Sequence, residues 1–406
     1  MRRLFSNPKL LAIAVIAVAA LLISIAGGAL GAAFGFGFLG GPLPLIQIPA
    51  ERVVTVFGYD LMNTTVMFWA SGIVLLTLAY FATRRLKDVP GRLQNVFEII
   101  VEFFDNTADS VAGGPKRGRR FLPLVLAIFL GVLASNWLGI LPGVGTIGRV
   151  ETVEEFVHHH LADDHPEYAD AHLDEVPEDV LREVLEASAT EEFVVFNGQD
   201  GVATIPVGRG EEAKVQLQDV VDIDHPDIHH VIEDVEAGVV KRAPQPEDDP
   251  DKYAGLVGHR TGLLVPYFRG ASTDLNTTLA IAIVAMVAVQ LWGIRALGFR
   301  TYSGKFLILN QGPIGFFVGI LEGFGEIART ISFTFRLFGN MFAGEILLIA
   351  MAFLLPLIGI IPFLGLELFV GAIQAFIFAM LTLVFGVMAV AHHGDDDHHG
   401  EEAEAH

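Results

Sequence analysis

EGFGEIARTISFTFRLFGNMFAGE, running from Glu322 to Glu345, decides how the chain is read, because it sets Arg336 inside an otherwise apolar segment. An ionised guanidinium at the centre of a bilayer costs roughly 2.5 to 3.5 kcal/mol on insertion scales, so a membrane helix that carries one needs a use for it. At 100° per residue, Glu322, Gly325, Arg329, Ser332, Arg336, Asn340 and Ala343 share one narrow stripe of a helix, while Phe324, Ile331, Phe335 and Phe338 lie elsewhere. Gly339, Ala343 and Gly344 follow the arginine, and residues this small let another backbone come close. Arginine keeps its proton at any reachable pH, so it can hold a carboxylate charged or block a cation but cannot relay a proton. The pattern is that of a gate.

The composition agrees with a membrane setting. Of 406 residues 52% are hydrophobic and none is cysteine, which marks an integral membrane protein without thiol or disulfide chemistry. The formal charge of −21 is concentrated between about residue 150 and residue 262 and in the tail after His392. So acidic a chain is a poor partner for nucleic acid. No G-x-x-x-x-G-K-[ST] motif is present, so no P-loop phosphate contact is expected of this chain.

Outward from the arginine, the apolar runs define the spans. Met1-Arg2-Arg3 and the apolar run Leu10 to Gly40 read as a signal peptide or a signal anchor. A second span, Thr65 to Ala82, ends in Arg84-Arg85-Leu86-Lys87, a basic cluster that belongs on the cytoplasmic side. Leu93 to Phe104 is too often polar to span and reads as an amphipathic interfacial helix. Lys116 to Arg120 keeps the chain on that side, and Leu122 to Leu141 leads out again. Asn276 to Trp292 returns it, with Arg295, Arg300 and Lys305 marking the inner surface. From Gly312 to about Val390 two helical stretches of about 30 to 40 residues are broken near Pro356 and Pro362. At 1.5 Å per residue they measure about 45 to 60 Å against a hydrocarbon core of about 30 Å, so they must tilt.

Between the spans lies an acidic stretch too polar for lipid, expected as an external soluble domain. Val176 to Leu185 has helical spacing with an early proline, whereas Phe193 to Ala203 and Lys214 to Leu217 read as short strands. A linker-like run, Ala243 to Pro250, closes it. The fold class is therefore an all-α polytopic membrane protein with two long tilted C-terminal helices, plus a small acidic α+β insert.

Two carboxylates stand out for chemistry. Glu345 is nine residues past Arg336, about 13 Å along the axis and about half a turn off its face, which prevents a simple pair within one helix. Glu367 lies on the next helix, with Gly371 and Gln374 after it on the same face. Carboxylates on paired helices can relay protons into a water-filled half-channel. Asn136 and Asp274 read as cap or interface residues. The histidines, His158-His159-His160, His229-His230, His392-His393 and His398-His399 among them, match no defined metal spacing, so neither a metal nor a cofactor is expected.

Arg336 to Glu345, RLFGNMFAGE, resembles the signature helix of subunit a of F-type ATP synthases, the stator half of a proton channel. Weaker likenesses accompany it in Thr273 to Ala280, in Asn136 to Gly143 and in Gln374 to Phe378, so the resemblance covers roughly 41–148 and 264–391. It implies two slanted helices curving round a rotor ring of subunit c, with a peripheral stalk subunit b, membrane lipid and a soluble ATPase sector as further partners. It also implies that Arg336 faces the ion-binding carboxylate of the rotor, and that Glu345 and Glu367 line the half-channel open to the outside. Gln374 would approach Arg336 across the hairpin, Glu322, Ser332 and Asn340 would line polar access near the arginine, and Asn276 would contribute to the outer channel. Many bacterial relatives carry histidine at the place of Glu367.

The expected organisation is an N-terminal signal segment (1–40), a first membrane part (41–148), an extracytoplasmic insert (149–263), a second membrane part with the channel hairpin (264–391) and a cytoplasmic tail (392–406). A self-contained ion or anion transporter with an external binding module is the alternative.

Overall fold

The computed structural model describes residues 8–27, 50–56, 59–114, 117–141, 144–145, 147–168, 171–190, 192–197, 205–206, 214–233, 235, 239–245, 253–304, 312–355 and 359–390. The expected tail after residue 391, much of the N-terminal apolar run, Lys116, Lys305 and the end of the linker lie outside these residues.

The chain is mostly helical. In order come α1 (Pro8–Gly27), β1 (Arg52–Val56), β2 (Tyr59–Met62), α2 (Asn63–Thr83), α3 (Arg92–Val111) and α4 (Leu122–Gly139). Then follow β3 (Gly148–Glu151), α5 (Val153–Asp164), α6 (Glu178–Ala187), β4 (Glu192–Asn197), β5 (Ile205–Pro206), β6 (Lys214–Gln216), α7 (Leu217–Val220), α8 (Ile228–Glu233) and β7 (Arg260–Pro266). The chain ends with α9 (Leu275–Leu297), α10 (Phe299–Ser303), α11 (Gly312–Leu354) and α12 (Ile361–Val390). Among the described residues five helices, α2, α4, α9, α11 and α12, are long and apolar enough to cross a membrane. This is an all-α polytopic membrane protein with a small mixed module set into it.

Two compact units make up the chain. The membrane unit takes in residues 54–144, 268–345 and from 366 onward, and the other holds the insert. In the membrane unit, Phe104, Phe121, Val125, Ala282, Phe333, Leu337, Phe378 and Leu383 form one buried cluster. The amphipathic α3 enters it through Phe104 and Ala108, while Val96, Ile99 and Phe103 of the same helix stay exposed. The start of α9 follows from its sequence: Asp274 caps it by accepting from the backbone N–H groups of Asn276 and Thr277. Its end is set by Gly298, whose φ of 80° favours glycine. At 43 and 30 residues, α11 and α12 are about 64 and 45 Å long, beyond the roughly 30 Å of hydrocarbon.

The insert is built on a five-stranded antiparallel sheet in which β3 pairs β7, β7 pairs β4, and β4 pairs β5 and β6. Helices α5, α6 and α8 cover it, burying Phe156, Leu161, Leu181, Leu185, Phe193, Leu217 and Ile228. The β3–β7 pairing matches Glu151 with Leu263 and Gly148 with Pro266, so the sheet runs on past 263. Neither flanking strand is signalled by the sequence pattern. The capping box at α5, where Thr152 and Glu155 satisfy each other's backbone N–H groups, starts the first helix.

Candidate functional site

Arg336 lies just past the middle of α11, half-buried, with Nη2 3.5 Å from Ser332 Oγ one turn back and Cζ 5.8 Å from the centre of the Phe333 ring. Among the described residues no carboxylate of this chain lies within ion-pair distance of it. The stripe predicted around it is left open: Ser332, Asn340 and Ala343 are exposed, while Glu322 and Arg329 are half-buried. Phe333, Leu337 and Met341, on the flank next to the stripe, are buried. The cation therefore stands on a face of α11 that the described residues leave partly open.

Toward the start of α11 the Arg329 cation has a counter-charge on its own helix. Arg329 donates to Glu326 at 2.5 Å and lies over the Phe385 ring. Tyr302 on α10 bonds Gln290, and burial holds its phenol above its usual range. The Glu326 and Glu322 charges act in the same sense, with Arg329 opposing them.

Beyond Arg336 the hairpin partner supplies polar groups. Asn340 Nδ2 donates to Gln374 Oε1 at 2.9 Å, so the structure brings these two candidates together. Glu367, 4% exposed, packs its carboxylate against the backbone of Gly344, where any Cβ would overlap it. Glu345 meets Arg269, whose Nε and Nη2 both lie 3.4 Å from Glu345 Oε2. Asn136, 1% exposed on α4, donates to the carbonyl of Gly371, between Glu367 and Gln374, at 3.1 Å. Next to it Trp137 Nε1 donates to the Leu368 carbonyl at 3.0 Å, so α4 is stitched to α12 along the face carrying both polar side chains. Glu367 Oε1, Gln374 Nε2 and Asn136 Oδ1 are buried without a hydrogen-bond partner among the described residues. Buried polar atoms of this kind call for a partner, and three of them at one helix contact mark a polar strip.

Asn276 is placed differently. It is exposed in the first turn of α9, its backbone N–H held by Asp274, and none of its described contacts reaches another candidate. Sequence reasoning missed Arg269, Glu326 and Tyr302. Glu326 was findable, being three residues before Arg329 at helical spacing, whereas Arg269 sits in a turn with no periodicity to mark it.

The family model for ATP synthase A chain matches residues 65–156 and 254–386. ATP synthase subunit a of Campylobacter concisus (strain 13826) is 36% identical over 134 residues, 32% of this chain and 58% of that protein. ATP synthase subunit a of Moorella thermoacetica (strain ATCC 39073 / JCM 9320) is 22% identical over 323 residues, covering 80% of this chain and 88% of the relative. The same subunit of Mycobacterium bovis (strain ATCC BAA-935 / AF2122/97) is 25% identical over 363 residues, 87% and 96% of the two chains. The alignment with the Campylobacter protein thus spans little more than half of that relative, while the other two run nearly end to end.

Proposed function

Because the chain belongs to the ATP synthase A chain family, we propose that it is the stator subunit of a rotary synthase, forming two offset proton half-channels against a ring of subunit c. A proton enters one half-channel, neutralises a carboxylate on the rotor, travels round with the ring, and leaves by the other half-channel. Arg336 separates the two. Its fixed charge favours the ionised rotor carboxylate as it passes and repels any proton that tries to cross directly. Ion flow then has to turn the ring.

The single observation that carries this reading is the open placement of Arg336. A permanently charged group within a membrane helix needs a counter-charge. This chain gives Arg329 one in Glu326 but gives none to Arg336 among the described residues. A partner carboxylate brought to the partly open stripe supplies it, and the small residues Gly339 and Ala343 admit a close neighbour. A self-contained transporter would enclose its arginine within its own bundle.

On this reading Glu345 and Glu367 carry protons in the half-channel open to the outside, and Gln374 and Asn340 lie between them and the arginine. Glu322 and Ser332 line the inner access, and Asn276 stands at the outer mouth. Nucleotide chemistry belongs to the soluble sector, reached through the rotor and the peripheral stalk subunit b. The insert is extracytoplasmic, following the basic clusters at Arg84 to Lys87 and Arg295 to Arg300 that mark the inner side.

Arg336→Ala tests the reading. ATP-driven proton pumping in membrane vesicles is expected to vanish while the chain remains inserted. Coupled pumping that survives the substitution removes the gate.

A further inference from the structure

Arg269 lies in the turn before α9 and is 6% exposed. A buried guanidinium is tolerated only with a compensating charge and good geometry. Glu345 provides it across 76 residues of sequence, and both contacts go to the same oxygen, Oε2. Among the described residues no hydrogen bond of Arg269 ends on Oε1.

The turn that carries Arg269 is rigidly held. Gly270 approaches α4 so closely that a Cβ on Gly139 would stand 2.9 Å from its Cα. The Thr273 hydroxyl donates to the Gly270 carbonyl at 2.7 Å, and Asp274 ties the next residues into the α9 cap. Arg269 is thus anchored by elements other than the helix that bears its carboxylate partner.

We propose that Arg269 is a positioning residue of the outer proton path: it clamps one oxygen of Glu345 and leaves Oε1 to take and give the proton. The proposal rests on the reading of Glu345 as a proton carrier. A proton landing on Oε1 turns the ion pair into a neutral acid beside the buried cation. Its departure to the next acceptor restores the pair, so the carboxylate returns to the same geometry after every transfer. No bond other than O–H forms or breaks. Arg269 itself stays protonated throughout.

The test uses vesicles carrying the assembled complex, stripped of the soluble ATPase, with passive proton flux read at a fixed potential and the inserted chain quantified by immunoblot. Arg269→Ala is expected to lower flux by about tenfold to a hundredfold, the range that a displaced reacting group produces. Arg269→Lys, which keeps the charge, is expected to recover part of it. The neutral double variant Arg269→Ala with Glu345→Gln is expected to be no slower than Glu345→Gln alone, because a residue that acts through Glu345 has nothing further to lose. It also removes both members of the ion pair together and so guards against simple misfolding. If Glu345→Gln slows flux but Arg269→Ala does not, the clamp is overturned while the carrier reading stands. Losses that multiply in the double variant place Arg269 in the scaffold alone and overturn it too. Unchanged flux in Glu345→Gln removes the carrier reading and the clamp with it.

Discussion

Asn340 on α11 and Gln374 on α12 are joined by a 2.9 Å side-chain hydrogen bond, and the two ends of that bond differ in burial. Asn340 is exposed, whereas Gln374 is 2% exposed and its Nε2 has no partner among the described residues. The bond places an amide pair one turn beyond Arg336, at the contact between the two long helices.

That asymmetry predicts which substitution does more harm. Removing Asn340 strips the buried Gln374 of its described hydrogen bond and should cost about 1 to 3 kcal/mol, the full penalty for an unsatisfied buried group. Removing Gln374 leaves Asn340 able to turn to other partners and should cost about 1 kcal/mol before any cavity term. Thermal unfolding midpoints of the purified subunit in detergent should therefore fall further for Asn340→Ala than for Gln374→Met. The reverse order would mean that the bond does not hold the hairpin.

Gly344 and Glu367 give a second prediction. A methyl group at 344 would overlap the Glu367 carboxylate, and overpacking of this kind costs typically 1 to 3 kcal/mol. Gly344→Ala should displace the carboxylate and depress passive proton flux. Adding Glu367→Ala makes room again, so the amount of inserted chain should recover while flux does not. A Gly344→Ala chain with ordinary flux would show that Glu367 does not sit against this glycine in the working protein.

These pairs also show how far the sequence could be read. The spans, the length of α11 and α12, and the stripe around Arg336 were legible, because each is a property of one continuous helix with a fixed period. The cap at Asp274 was legible as local chemistry. Arg269 with Glu345, Gly344 with Glu367, and Asn136 with Gly371 were not, since each is a meeting of separate elements across tens to hundreds of residues. Asn136 illustrates the limit: its reading as an interface residue was available, but its partner, a backbone carbonyl on α12, has no side-chain signal. The strands that frame the insert were equally hidden. Gly148–Glu151 is four residues long, too short for alternation to register, and its pairing with β7 is set by the module closing on itself.

That closure yields the last prediction. The buried cluster of the insert draws its members from Val153 to Leu256, and β3 and β7, which lead in and out, pair with each other. A fragment spanning residues 147–267 therefore carries its own core and both of the strands that seal it. We expect this fragment to be soluble, as its acidic balance requires, and to unfold in one cooperative step. Phe193 is fully buried on β4 with its ring 5.2 Å from that of Phe156. Phe193→Ala in the fragment should cost about 3 to 5 kcal/mol, through lost transfer energy and the cavity left behind. Urea denaturation measures both claims. A fragment that shows no cooperative transition, or one whose midpoint is unmoved by Phe193→Ala, would mean that the insert depends on the membrane unit for its fold.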